Sequence, residues 1–371
     1  MKMKNAGQKS IRIFIVPSLI LCIFSLIYAQ PKITGVVRND AVILSKNKTG
    51  HFSDILENRF IIKNDSKNWK FYLDARVYLY FGEITEQLGE IDGDLMRSFI
   101  RYYADWADFT LGKTYINLGN SGIFNPFEID KTLNFSDISY AKRGILAFES
   151  VIPMGDLSRT KIYAGYNDTL KNYSTGFDLI FNIQSFDLGM AAIKNGKNKN
   201  EKNIINTVEF GEESRNLAGF YFKGDMLLGV EASYAHHFND KGKNDFIEAN
   251  FGFDYSFFDA MFILNTIFYY NENGKINPDN YLMQNEAYFF AKYYNYSGLI
   301  YAYDEFLSFD LGVFSNLNDK SSIIIASVRN TIANGLTLIL MGAFLTGKNN
   351  DEYSRRQIGE YYALARVEGR Y

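Results

Sequence analysis

The chain has 371 residues, with 39 lysines and arginines against 42 aspartates and glutamates, and its single cysteine is Cys22. A slightly acidic balance excludes the concentrated basic surface that a nucleic-acid partner demands, and one cysteine excludes an internal disulfide or a cysteine metal site. Aromatic residues make up 16% of the chain beside only 5 prolines, a mixture suited to a wall of strands with aromatic girdles.

At the N-terminus, Lys2, Lys4, Lys9 and Arg12 precede an apolar run from Ile13 to Tyr28, and Ala29 stands where a small residue precedes cleavage. Residues 1–29 therefore read as a secretory signal peptide. The run is roughly 16 residues, broken by Pro17, and is short against the ~20 that a spanning helix needs. Leu21 precedes Cys22 where an acylated cysteine would follow a small residue, which argues against a lipoprotein. Without the signal, 35 basic residues face 42 acidic ones, and residues 30–371 form one domain.

That domain alternates in polarity with a period of two. From Trp69 to Phe81 every odd position is apolar, while the even ones include Lys70, Asp74 and Arg76. From Phe246 to Phe257, Ile247, Ala249, Phe251, Phe253, Tyr255 and Phe257 alternate with polar residues such as Glu248, Asn250 and Asp254. Similar segments fall near 33–44, 54–63, 95–106, 143–152, 159–168, 172–182, 186–195, 204–210, 217–223, 226–238, 260–270, 286–294, 298–304, 306–314, 321–329 and 335–346. Many have the 9 to 12 residues, roughly, of a tilted strand crossing a bilayer.

The pattern predicts an all-β fold, a transmembrane antiparallel β-barrel of about 16–18 strands. A soluble sandwich would bury one face of each sheet and has no use for so many outward aromatic residues. Counting back from Tyr371, the long stretch from Asn271 to Asn285 falls on the side of the C-terminus, where short turns are expected. One strand between 271 and 357 is therefore miscounted.

One segment, Thr110 to Asp130, differs in character: it reads T-L-G-K-T-Y-I-N-L-G-N-S-G-I-F-N-P-F-E-I-D, and a strand ends within its Gly-Lys-Thr-Tyr-Ile-Asn. Gly119 and Gly122 permit tight turns, and Asn125-Pro126 with Asp130 can cap a short turn. The order Gly112, Ile116, Asn117, Gly119, Phe124, Asn125, Pro126, Asp130 resembles outer-membrane porins of the alginate-export type. Lys113 and Thr114 stand where those relatives carry Arg-Gln, and Leu118 replaces their tryptophan. The resemblance covers some 20 residues and implies a barrel with a loop folded into the lumen. Gly119, Gly122, Phe124, Asn125, Pro126 and Asp130 are its expected constriction.

The final strand carries Gly359, Tyr361, Ala363, Ala365, Val367 and Tyr371 on one face and Glu360, Arg366, Glu368 and Arg370 on the other. An amphipathic strand ending on an aromatic residue resembles the signature by which outer-membrane barrels are recognised, so Tyr371 is the expected assembly signal. The barrel-assembly machinery and outer-membrane lipids are the expected partners.

A wall of this size encloses water. Alternation points Arg76, Arg97, Arg101, Arg366 and Arg370 inward on strands that ring closure makes neighbours, and Asp178, Asp187, Glu231, Glu248 and Asp254 inward opposite them. Opposed charged walls would set up a transverse field across a pore.

Enzymatic signals are thin. Ser233 and His237 lie roughly 13 Å apart along one strand, and His51 with Asp54 or His237 with Asp240 are pairs that hydrophilic loop composition explains. No H-E-x-x-H, phosphate-binding glycine loop or nucleophile elbow occurs. The sequence thus reads as a non-enzymatic porin without cofactor or metal, exported to the cell outer membrane. It would pass small hydrophilic solutes by diffusion and is compatible with a homo-oligomer. A barrel acting through its outer loops, as an adhesin or structural protein, is the alternative.

Overall fold

A computed structural model describes residues 31–46, 49–82, 90–119, 123–128, 144–166, 172–197, 215–225, 228–239, 245–280, 290–348, 351–354 and 361–371. Eighteen antiparallel strands run in chain order through them. They are β1 (Lys32–Lys46), β2 (Thr49–Asp65), β3 (Trp69–Gly82), β4 (Ile91–Tyr103), β5 (Asp108–Thr114) and β6 (Ile145–Pro153). Next come β7 (Arg159–Tyr166), β8 (Asn172–Ile183), β9 (Phe186–Lys197), β10 (Arg215–Asp225), β11 (Gly229–Asn239) and β12 (Phe246–Phe257). The last six are β13 (Phe262–Asn271), β14 (Tyr293–Ala302), β15 (Leu307–Asn316), β16 (Ser322–Ala333), β17 (Leu336–Leu345) and β18 (Tyr361–Arg370).

Each strand pairs with its neighbours in sequence, and β1 pairs with β18 from Val36 opposite Arg370 to Ser45 opposite Tyr361. The sheet is closed, so its backbone ladders have no open edge. Tyr371 continues the seam: its N–H donates to Gly35 O at 3.1 Å and its own carbonyl accepts from Gly35 N at 2.9 Å. The Tyr371 ring lies over Gly35 in the space a side chain would need, and its hydroxyl bonds Asn58 Oδ1 at 3.3 Å.

The period of two separates the faces. Phe251 and Tyr255 are exposed on the outer face, whereas Glu248 and Asn250 on the same strand are buried within. At one end of the barrel lie the chain ends and the short connections 66–68, 104–107, 154–158, 184–185, 226–228, 258–261, 303–306 and 334–335. The other end carries the long ones, including 115–144, 198–214, 272–292 and 346–360.

Connection 272–292 is thus opposite Tyr371. Of the expected strands 286–294 and 298–304, the parts 293–294 and 298–302 belong to a single strand, β14, and that corrects the miscount; 286–289 lie outside the described residues. β5, short and ending at Thr114, is the strand that leads into the glycine-rich segment. The expected segment 204–210 and the expected signal peptide lie outside the described residues.

Candidate functional site

Beyond β5 the chain does not rise as a free loop. Residues 115–119 and 123–128 form a strap lying on the inner wall. Ile116, Leu118 and Phe127 are buried against Ala147, Tyr163, Ile180, Ala191, Ile193, Leu217, Tyr221 and Ala235, inner-face residues of β6 to β11. Phe124 reaches further round. It stacks on Tyr269 at 4.8 Å with an interplanar angle of 5° and meets Phe314 at 5.1 Å. Phe127 meets Tyr221 edge-on at 5.8 Å.

The local sequence dictates this shape. Asn125 Nδ2 donates to Leu118 O at 2.7 Å while its Oδ1 accepts from Phe127 N at 3.0 Å, so one amide closes the turn around Pro126. Gly119 has φ of 74°, and a Cβ there would stand 2.8 Å from the Phe127 ring and 3.0 Å from Asn125 Oδ1. Only glycine fits both the left-handed backbone and the space. Gly122 and Asp130 lie outside the described residues.

Polar pins fix the strap to the wall. Lys161 Nζ donates to Asn117 O at 2.6 Å, the Gly119 N–H donates to Asp178, and Asn250 Nδ2 donates to Phe124 O. Tyr221 Oη donates to Asp178 Oδ1 at 2.5 Å. Two residues expected in an open acidic wall therefore sit elsewhere: Asp178 is 2% exposed beneath the strap, and Glu248 is 5% exposed beside His237 Nε2 at 3.1 Å. Asp187 accepts from Asn182 Nδ2 at 2.7 Å. Lys223 stands between Asp187 and Glu231 in register, and Asp254 lies opposite Gly229.

The basic side is a set of ion clusters rather than a bare wall of cations. Asp74 is gripped by Arg59 through two bonds of 2.8 and 2.7 Å and touched by Arg97 at 3.0 Å. Glu57 lies between Arg38 at 3.5 Å and Arg76 at 3.4 Å; Glu368 lies between Arg38 at 2.7 Å and Arg370 at 3.0 Å. Glu149 lies 3.7 Å from both Arg101 and Lys161. Arg366 and Asp40 form a bidentate pair with bonds of 2.7 and 2.6 Å.

Each of the first three clusters has one more cation than it has carboxylates. Exposure is unequal within them. The Asp74 and Glu149 side chains are 1% and 5% exposed, whereas Arg97 and Arg101 are 33% and 30% exposed. Arg370 is more exposed still, while Arg76 and Arg366 are buried. In these clusters, therefore, the groups that meet the water are cations although the ion networks are nearly balanced. Arg97 also covers Tyr72 at 4.8 Å and Arg101 covers Phe99 at 5.6 Å, and these two rings stack at 5.2 Å.

Arg38, Arg59, Lys161, Glu57, Asp74 and Glu149 were not among the expected site residues. Their inward parity was readable, but which charges share a height was not. The residues weighed for hydrolysis do not converge: His51 lies on the inner face of β2, while Asp54 lies on the outer face, bonded to Asn39 at 2.9 Å. His237 stacks on Phe246 at 4.3 Å, and Asp240 lies outside the described residues.

No family model matches this sequence. No curated protein matches it either. Solved structures do match the fold. A crystal structure of Acinetobacter baumannii OccAB1 aligns with a TM-score of 0.58 at 9% identity, over 93% of this chain and 98% of that one. Wzi, described as a carbohydrate-binding barrel involved in group 1 capsule assembly in Escherichia coli, aligns with a TM-score of 0.56 at 12% identity, over 95% and 87%. Pseudomonas aeruginosa OccK2, solved in complex with glucuronate, gives a TM-score of 0.56 at 10% identity, over 92% and 97%. The chain shares the fold of outer-membrane barrels.

Proposed function

We propose that this chain is an outer-membrane porin, a passive diffusion channel for small hydrophilic solutes that favours anions. The observation that carries this reading is the unequal exposure of the ion clusters, with carboxylates underneath and guanidinium groups of Arg97, Arg101 and Arg370 toward the water. Eighteen strands enclose more space than their side chains can fill. The strap over β6 to β15 leaves the ion-cluster wall as the lining of the passage. A guanidinium held by one carboxylate keeps free N–H donors for a second planar anion. The fold's likeness to a barrel solved with glucuronate and to one described as carbohydrate-binding fits a hydrophilic solute bearing a carboxylate.

Several readings accompany this one. The long-connection end faces outward, residues 1–29 direct export and are removed, and Tyr371 on the β1–β18 seam is the group offered to the assembly machinery. The segment 112–130 resembles that of the alginate-export porins, and the outer wall is open to a second copy. The test is conductance in a planar bilayer under a salt gradient. We expect stable channels with a reversal potential on the anion side. A silent bilayer would remove the porin reading, and a cation-side potential would remove the anion preference.

A further inference from the structure

Lys161 is half-buried at the root of the strap, and it makes two contacts of different kinds. Its ammonium donates to Asn117 O at 2.6 Å, holding the strap to β7. The same ammonium stands 3.7 Å from Glu149 Oε1, whose other oxygen is 3.7 Å from Arg101 Nη2. Glu149 is nearly inaccessible, so its charge is compensated only by protein groups. Were Lys161 absent, that compensation would fall to Arg101 alone, and the Arg101 charge would be cancelled where it meets the lumen.

The surrounding charges leave this count unchanged. Asp178 lies opposite Lys161 in register on β8, and Arg159 precedes Lys161 on the same face. Among the described residues, Lys161 and the charges that act on it are three cations, Arg101, Lys161 and Arg159, against two carboxylates, Glu149 and Asp178. Arg159 is exposed at the end of β7, and within the Glu149 triad Arg101 has the more exposed side chain, at 30% against 15% for Lys161.

We infer that Lys161 is a specificity-determining residue: by neutralising Glu149 from behind it releases the charge of Arg101 to the passing solute. It acts through Arg101 and does not touch the solute. This rests on the anion-selective reading above. In the narrow water-filled space beside the strap, one fixed charge weighs heavily in selecting ions, because low-dielectric walls focus its field.

The full-length channel is reconstituted and its anion-to-cation permeability ratio is measured with potassium chloride near 0.1 M, where the screening length is about 10 Å. Lys161→Met should lower the ratio by roughly twofold or more. Glu149→Gln should raise it. The double substitution restores the original charge count and should return the ratio close to that of the unmodified channel, and Lys161→Arg should preserve it. An unchanged ratio in Lys161→Met would overturn the inference. So would a double variant further from the original than either single one, or a rise in conductance at constant ratio, since these mark Lys161 as a strap pin alone. If the unmodified channel shows no anion preference, the reading of the previous section fails, yet the order of the four variants still decides the role of Lys161.

Discussion

Beneath the strap, β6 to β15 present Tyr163, Ile180, Ile193, Leu217, Tyr221, Tyr269 and Phe314 to the barrel interior, all buried. Across the lumen, β18 and β1 to β4 present arginines and carboxylates in clusters. The same strand geometry thus carries two kinds of inner wall. On the first, an apolar surface that would face water is dried by a piece of the chain itself. On the second, carboxylates are buried only because arginines complete their hydrogen bonds, and the surplus cations remain wet. The difference teaches that an inward position in a barrel is not a wet position; the covering, rather than the parity, decides.

The largest expected effect comes from breaking the dry half. Phe124→Ala removes the ring seated on Tyr269 and Phe314, at a cost of about 3–5 kcal/mol for a buried phenylalanine. Single-channel conductance should rise as the strap loses its far anchor, and urea denaturation should report the lost stability. A variant with the original conductance would mean that the strap does not narrow the passage.

The wet half is sharpened by a pair of substitutions around Asp74. Arg59→Gln removes the bidentate partner of a buried carboxylate and should cost about 3–5 kcal/mol. Arg97→Gln removes the partner on the water side, should cost under ~1 kcal/mol, and should shift the reversal potential toward cations. If Arg97→Gln proved the more destabilising in thermal melts, the division between a supporting and a presenting arginine would be wrong.

The smallest effect concerns the outer rim of the dry half. In connection 346–360, Glu352 Oε2 accepts from Tyr294 Oη at 2.6 Å and from Asn316 Nδ2 at 2.8 Å, and the Glu352 N–H donates to Asp319 Oδ2 at 2.8 Å. Its neighbour Tyr353 meets Phe314 edge-on at 5.9 Å, so this knot adjoins the seat of Phe124. Burial, with the negative charge of Asp319 beside it, pushes the Glu352 carboxyl up to about 8 from an ordinary 4.5. The folded form keeps a proton that the unfolded chain has lost across that window, so the knot weakens as pH climbs from 4.5 to about 8 and changes little beyond. Current fluctuations should grow over that range and become pH-independent in Glu352→Gln. Identical profiles for the two proteins would exclude Glu352 as the titrating group.

The strand rhythm was legible in the sequence because the outer face is apolar nearly everywhere. It failed at β14 for a physical reason. Tyr294 and Tyr296 point inward to the dry half, so the inner face there is aromatic too. Asn295 and Ser297, on the outer face, look like a break in the strand. They are instead satisfied laterally, with Ser297 Oγ and Thr266 Oγ1 at 2.7 Å and Ser297 Oγ donating to Asn295 Oδ1 at 3.1 Å.

The strap was legible in its glycine and in Phe-Asn-Pro, since Gly119 and Asn125 do their work within a few residues. The ion clusters were legible only as inward charges. Arg38 and Glu368 are 330 positions apart in the chain, and parity along one strand says nothing of height across the seam.

The strap leaves the wall between β5 and β6, yet everything it rests on is made later. Phe127 waits for Tyr221, and Phe124 for Tyr269 and Phe314. Until β6 to β15 are in place the strap has no surface to settle on, and long-range closure of this kind is slow. The passage should therefore be widest in the newly joined barrel and reach its working bore last. Maturation of the channel is then a narrowing, paced by how soon the wall beneath the strap closes.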